Sequence, residues 1–257
     1  MKKIALISGA TSGIGLATSH KLAEKGFNLI ITGRRKQLLE EIKKELGIKY
    51  KCDVLTLNFD IRDNSKVEEM IDGLNENWNK IDVLVNNAGL AAGYNPIQNG
   101  DLIDWEQMID TNIKGLLYLT RKIIPLMIIN GYGHIINITS IAGKEVYPNG
   151  NIYCATKIAV DSLTKAMRID LVKHNIKVTS IAPGMVETEF SLVRFKGDKD
   201  LADKVYEGFT PLFAEDVAEA IHFAITRPPH VNINDMLIMP AAQASAVIIN
   251  REGNLKI

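Results

Sequence analysis

Cysteine is scarce in this chain, with two in 257 residues. Cys52 and Cys154 form no CxxC pair and have no histidines arranged around them. That argues against a disulfide framework and a zinc or other metal site, and predicts a reduced, cytoplasmic setting. A charge excess of either sign is also missing, since 30 basic residues balance 30 acidic ones. No overall field therefore draws the chain to nucleic acid or to an anionic membrane surface, and the Lys2–Lys3 cluster is too short to change this. No apolar run reaches the roughly 20 residues that span a bilayer. The opening K-K-I-A-L-I-S is strand-like and meets glycine before a signal-peptide length of apolar residue accumulates. Internal repeats and low-complexity segments are absent as well.

What is present is a regular alternation of strand and helix. At this length the chain can bury a substantial core within one α/β domain, residues 1–257. Ile4 to Ser8 predicts a first strand, followed by a helix from Gly13 to Lys25 that Gly26 stops. A strand from Phe27 to Thr32 precedes a charged amphipathic helix, Lys36 to Leu46, with Gly47 as its expected end, and then a strand from Val54 to Phe59. The pattern continues with helix Ser65 to Asn77, strand Val83 to Val85, helix Trp105 to Ile128 and strand His134 to Thr139. A helix through Tyr153 to about His174, a strand Lys177 to Ile181, a helix Ala214 to Ile225 and a strand Met236 to Met239 complete it. Apolar strands between amphipathic helices predict a mostly parallel sheet of roughly seven strands covered on both faces, a doubly wound fold of Rossmann type. The least regular stretch, Gly184 to Phe213, exceeds an ordinary connection, which makes residues 185–213 a candidate lid.

The segment S-G-A-T-S-G-I-G places Gly9, Gly13 and Gly15 between the first strand and the first helix. Missing side chains let the backbone turn tightly and approach a pyrophosphate, while the helix N-terminus offers unpaired N–H groups. Thr11, Ser12 and Ile14 belong to the same turn and count with it as cofactor contacts. The second strand ends in T-G-R-R, where an NAD site usually presents a carboxylate to the ribose 2′-hydroxyl. Gly33 leaves that place empty, and Arg34 and Arg35 bring donors suited to a 2′-phosphate, so NADP is expected, with NAD the weaker alternative. Arg35 is equally suited to the solvated start of the next helix. Asp60, with Ile61 beside it, is placed to accept a bond from the adenine amine; capping the helix near Ser65, or remaining in water, is equally open to it. Farther on, Tyr153 and Lys157 stand four residues apart in Y-C-A-T-K and share a helix face. An ammonium favours phenolate, so the pair predicts a working acid and base despite tyrosine's reference pKa of about 10.

Together, the glycine motif from Gly9 to Gly15, N-N-A-G at Asn86 to Gly89, Asn112, Ser140, Tyr153, Lys157 and P-G at Pro183 and Gly184 resemble the pattern of the short-chain dehydrogenase/reductase family along essentially the whole chain. The resemblance implies that Asn86, Ala88 and Gly89 stabilise the central strand and line the cofactor cleft. It implies that Pro183 and Gly184 border the nicotinamide and that Val186 and Thr188 contact its carboxamide. A narrower likeness, in G-M-V-E-T-E-F-S-L-V-R-F, in T-P-L with the D-V-A-E helix, and in I-M-P-A-A-Q-A-S, is to the NADP-dependent 3-hydroxy acid dehydrogenases. That likeness implies Arg34 as the phosphate-binding arginine and a homotetramer built on the long fourth and fifth helices. In one departure, Ala10, Thr11 and Ser12 put no basic residue in the glycine loop, which leaves phosphate recognition chiefly to T-G-R-R.

Hydride transfer to a carbonyl carbon develops negative charge on its oxygen, so the reaction needs donors there and a proton on demand. Tyr153 is expected to exchange that proton, Lys157 to lower its pKa and hold the nicotinamide ribose, Ser140 to hold the substrate oxygen, and Asn112 to hold a water that passes protons toward Lys157. Arg194 in the lid and Lys144 near Ser140 are the candidate partners of a substrate carboxylate, and Gln243, Tyr147 and Phe190 are candidate pocket walls. The expected reaction is the NADP-linked oxidation of a small 3-hydroxy acid: serine, allo-threonine, 3-hydroxyisobutyrate or 3-hydroxypropionate. Alternatives are a broad carbonyl or 3-oxoacyl thioester reductase and, outside catalysis, an NADP-binding regulatory or structural protein, which has no physical need of a proton relay.

Overall fold

The structure is a computed structural model and describes residues 2–251. β1 (Ile4–Ser8), α1 (Gly13–Glu24), β2 (Asn28–Gly33), α2 (Lys36–Tyr50) and β3 (Val54–Asn58) form the first half. They are followed by α3 (Asn64–Asp72), β4 (Ile81–Asn86), α4 (Leu102–Ile109), α5 (Leu116–Asn130), β5 (Gly133–Ile138), α6 (Asn151–Leu171) and β6 (Ile176–Pro183). A segment with β7 (Val186–Glu187), α7 (Phe190–Arg194), α8 (Lys199–Lys204) and β8 (Leu212–Phe213) leads to α9 (Ala214–Ile225) and β9 (Asp235–Ile238). The seven-stranded sheet has the order β3-β2-β1-β4-β5-β6-β9, and every one of its pairings is parallel.

Period-two alternation sends neighbouring strand residues into separate cores. Ala5, Ile7 and Ile31 pack with Leu39, Leu46, Val217 and Ile221 beneath α2 and α9. Leu6, Ile30 and Leu84 pack on the other face with Leu119, Ile123 and Val160 of α5 and α6. Both faces being covered is why β1 and β5 are buried along their whole length. The strand order reverses between β1 and β4, which opens a crevice at their carboxyl ends, where ligands of such sheets bind.

Three helices differ most from expectation. α2 runs through Gly47 to Tyr50, and its C-cap is Lys51, at φ 52°, whose N–H bonds to the Gly47 carbonyl. An interior glycine costs a helix only about 1 kcal/mol, and packing of the adjacent Leu46, fully buried, offsets it. α3 stops at Asp72, because Gly73 caps it and the Asn75 carbonyl then turns the chain by accepting from Trp78 and Asn79. The predicted helix Trp105 to Ile128 begins earlier, behind the Asp101 cap, and contains a π-helical stretch, Asp110–Gly115. Among the described residues no helix is long and apolar enough to cross a membrane.

Candidate functional site

A cavity of about 390 Å³ lies at the crevice. Its floor is the glycine turn, stitched to the N-N-A-G segment. Ser8 Oγ accepts from the Asn87 and Ala88 amides at 3.0 Å each, and Asn87 Nδ2 donates to the Ser8 and Gly9 carbonyls at 2.9 and 3.1 Å. Gly9 has φ 66°, and a Cβ there would lie 2.9 Å from Ala88 Cα. A Cβ at Gly15 would collide with the Gly9 carbonyl oxygen. Side chains are thus excluded from a cradle of the kind a pyrophosphate needs. Thr11, Ser12, Gly13 and Ile14 line the cavity, whereas Gly15 supports it from behind. Ser12 is the N-cap of α1, and its side chain makes no cap bond to the first-turn amides.

At the end expected to take the adenosine, Arg34, Arg35, Asp60 and Ile61 border the cavity. A Cβ at Gly33 would meet Thr11 Cγ2 at 3.1 Å, so the glycine packs closely under the turn and presents no carboxylate. Arg35 donates twice to Thr11 Oγ1, at 3.0 and 2.8 Å, and once to Glu189 Oε2, at 3.2 Å. Arg34 Nη1 lies 3.9 Å from Asp60. Asp60 accepts from Arg62, with Nη2 at 2.6 Å, and the Arg62 guanidinium holds its carboxyl below the usual range. The cap of α3 is Asp63, which accepts from the Lys66 amide, so of the three roles open to Asp60 helix capping is excluded.

At the end expected to take the nicotinamide, Ser140, Tyr153 and Lys157 are buried. Ser140, Tyr153, Lys157, Pro183 and Gly184 line the cavity, as do Val186, Thr188, Ala88 and Gly89. Ser140 caps the short turn Ile141–Gly143 by accepting from Ala142 N at 3.1 Å, and its hydroxyl also reaches the Pro183 carbonyl at 3.5 Å. Burial pushes the Tyr153 phenol up, as does neighbouring Tyr147, against the opposing Ser140 hydroxyl and Arg194 guanidinium. Lys157 Nζ donates to the Ile138 carbonyl at 2.9 Å and stands 5.9 Å from the Tyr153 ring centre. Its own burial lowers it to about 8. Lys157 thus has its ammonium engaged with a backbone carbonyl beside the phenol, and Arg194 is a second cation facing the same ring.

Two expected cleft residues stand behind the wall. Asn86 Nδ2 binds Thr120 Oγ1 and Asn137 Oδ1 at 2.8 Å each, tying β4 to β5 and α5. Its strand-stabilising part is visible, but the side chain lining the cleft is Asn87. Asn112, in the π-helical stretch, binds Leu90 through both amide groups and donates to Thr156 Oγ1 at 3.0 Å. Its side chain braces the chain after β4.

Of the two candidate cations, Lys144 is withdrawn from the site, because its Nζ is paired with Asp161 and Asp235 at 2.6 Å. Arg194 is beside it. Its guanidinium carbon lies 4.7, 5.5 and 5.6 Å from the ring centres of Tyr94, Tyr147 and Tyr153, and Nη1 donates to Tyr147 Oη at 3.0 Å. Its Nε is buried with no hydrogen-bond partner, and no acid pairs with it among the described residues. Phe190 meets the Tyr153 ring edge-on at 5.6 Å. Tyr94 and Glu189 were not legible as site residues, since only the folded lid brings them in.

Residues 3–198 match the short chain dehydrogenase family, and the chain belongs to that family. It is 46% identical over 254 residues to sulfoacetaldehyde reductase 2 of Chromohalobacter salexigens, covering 98% of this chain and 100% of that protein. It is 47% identical over 244 residues to the NADP-dependent 3-hydroxy acid dehydrogenase YdfG of Salmonella typhi, covering 95% of this chain and 97% of that one. Among solved structures, the closed form of serine dehydrogenase complexed with NADP+ superposes with a TM-score of 0.91 at 44% identity, over 96% of this chain and 98% of that one.

Proposed function

We propose that this protein is an NADP-dependent oxidoreductase moving a hydride between the nicotinamide and the hydroxyl-bearing carbon of a small 3-hydroxy acid. The observation that carries the substrate class is Arg194: a guanidinium without a counter-acid among the described residues, its Nε buried and unpartnered there, against the ring of Tyr153. A substrate carboxylate two carbons from the reacting hydroxyl supplies the missing anion. The glycine cradle, the bare Gly33 and the pair Arg34 and Arg35 fit NADP, as do the names of the relatives.

The cofactor, when bound, accepts or supplies the hydride. Tyr153 takes the hydroxyl proton in oxidation and returns it in reduction, with Ser140 holding the same oxygen. Lys157 binds the nicotinamide ribose hydroxyls and supplies charge beside the phenol. Asp60 and Ile61 border the adenine, Pro183 and Gly184 the nicotinamide, and Val186 and Thr188 its carboxamide. Residues 185–213 form the lid, latched by Lys196, whose Nζ lies 2.9 Å from the buried Asp104.

The protein assembles as a homotetramer in the cytoplasm. Exposed apolar residues on the two long helices, Leu117 and Ile129 on α5 and Ile158 and Ile169 on α6, support assembly, and two buried, free cysteines accord with a reducing compartment. Light scattering that reports a monomer would overturn the tetramer.

A second reading has its own support. Arg194 and the Tyr147 hydroxyl together suit a sulfonate as well as a carboxylate, and one relative is a sulfoacetaldehyde reductase. One steady-state panel separates these readings: L- and D-serine, allo-threonine, 3-hydroxyisobutyrate, 3-hydroxypropionate, sulfoacetaldehyde, an acetoacetyl thioester and uncharged ketones. The 3-hydroxy acids should give the highest kcat/KM. Sulfoacetaldehyde ahead of them would select the second reading, and thioesters or uncharged ketones more than about a hundredfold ahead of every anion, near 2.7 kcal/mol, would overturn both.

A further inference from the structure

The chain after β9 does more than close the fold. Pro240 to Arg251 doubles back on itself: Gln243 and Ile249 form an antiparallel bridge, Ala244 N donates to the Ile248 carbonyl at 2.9 Å, and Asn250 N donates to the Ala242 carbonyl at 2.8 Å. Three of its contacts reach three different walls of the site. Gln243 Oε1 accepts from the Met185 amide at 2.9 Å, immediately after Gly184. Glu145, on the loop behind Ser140, accepts from the Ala246 amide at 2.8 Å. Arg251 donates to the carbonyls of Glu207 and Val205 in the lid, with its guanidinium 5.3 Å from the Phe209 ring centre.

We infer that residues 240–251 act as a strap setting the nicotinamide loop and the lid in register, with Gln243 as the positioning residue for the nicotinamide loop. Resting on the proposed redox function, the inference adds a residue to it that touches neither cofactor nor substrate. Gln243 is only 4% exposed, and its amide works in both directions: Oε1 satisfies Met185 N, and Nε2 donates to the Ser245 carbonyl at 3.1 Å, closing the doubled-back segment. A Cβ at Gly184 would press on Gln243 Oε1 and on Pro240 Cδ, so the loop and the strap meet with no room between them. Gly184 N also donates to the Ile238 carbonyl at 2.7 Å, which leads directly into the strap. The nicotinamide loop is therefore held from behind by two consecutive amides. Arg251 performs the matching task at the far end of the lid.

Hydrogen exchange on the cofactor-free protein tests this first. The Met185 amide should be strongly protected in the wild type, and free exchange there would overturn the inference without any variant. Gln243→Leu removes the acceptor and should speed Met185 exchange and raise the Kd for NADPH, each about tenfold, the order expected for a buried donor left unpaired. Gln243→Glu keeps the acceptor for Met185 but loses the donor to Ser245, so it should fall between wild type and Gln243→Leu in both measurements. Arg251→Ala should speed exchange around 205–209 and raise the KM for the hydroxy acid a few-fold, with the NADPH Kd unchanged. Indistinguishable Leu and Glu variants, or Met185 exchange unaltered in Gln243→Leu, would sink the proposal. The exchange and NADPH titrations use no substrate, so a wrong substrate assignment leaves them intact. A wild type that fails to bind NADPH would count against the redox reading instead.

Discussion

The two ends of the cavity stand on opposite physical terms. At the adenosine end the side chains of Arg34, Arg35 and Glu189 are 60, 45 and 56% exposed, and their ion pairs face water. Such pairs contribute at most about 1 kcal/mol each and weaken with salt. At the nicotinamide end Ser140, Tyr153 and Lys157 are all buried, and burial alone moves the lysine to about 8. The exposed end can discriminate between cofactors only in small, adjustable steps. Burial at the other end makes the proton chemistry nearly all-or-none and imposes a stability cost.

The largest effect should come from the buried end. Tyr153→Phe removes the transferable proton and should lower kcat about a thousandfold while the Kd for NADPH stays near wild type; turnover close to normal would erase the distinction between the ends. Lys157 supplies the stability side. Its folded pKa of about 8 lies below the ordinary lysine value of 10.5, so between those values the unfolded chain binds more protons and stability rises with pH. Below pH 8 the full cost of the buried charge is felt, on the order of 3 kcal/mol at about 1.4 kcal/mol per pH unit. Urea titration should find Lys157→Met more stable than wild type at pH 7 and without that rise between pH 8 and 10.5, though nearly inactive. A less stable variant would contradict this.

Effects at the exposed end should be smaller. Arg34→Ala should raise the KM for NADP about tenfold relative to that for NAD, near the low side of the 1.5–3 kcal/mol of a charge-assisted bond. Equal changes for both cofactors would show that Arg34 does not read the phosphate. Smallest of all, Glu189→Gln frees Arg35 from its lid partner and should lower the KM for NADP about twofold; a rise would mean that the pair closes over the cofactor rather than competing with it.

The scaffold was legible because its strands are buried on both faces and so read as apolar runs, β1 and β5 most plainly. The buried end of the site was legible for a related reason: Tyr153 and Lys157 are brought together by one turn of one helix. What sequence could not display were partnerships between distant segments. Lys144 is lost to Asp235, 91 residues away. Tyr94 joins Arg194 only when the lid folds against the chain after β4, where Gly93 N donates to the Arg194 carbonyl at 3.0 Å. The exchange of roles between Asn86 and Asn87 is more local. At a strand end consecutive side chains face opposite ways, so only one of the two can line a cleft, and the register that decides which is fixed by pairing with β5.

The central claim is that a buried proton donor and an adjacent guanidinium with no acid partner among the described residues together define the reaction. Its most direct test is the ratio of kcat/KM for 3-hydroxyisobutyrate to that for an uncharged alcohol of similar size, in wild type and in Arg194→Met. The account predicts that the ratio falls about a hundredfold in the variant, the loss of a charge-assisted contact of about 2.7 kcal/mol, with the uncharged alcohol turned over within about threefold of wild type. An unchanged ratio, or an equal fall for both substrates, would contradict it.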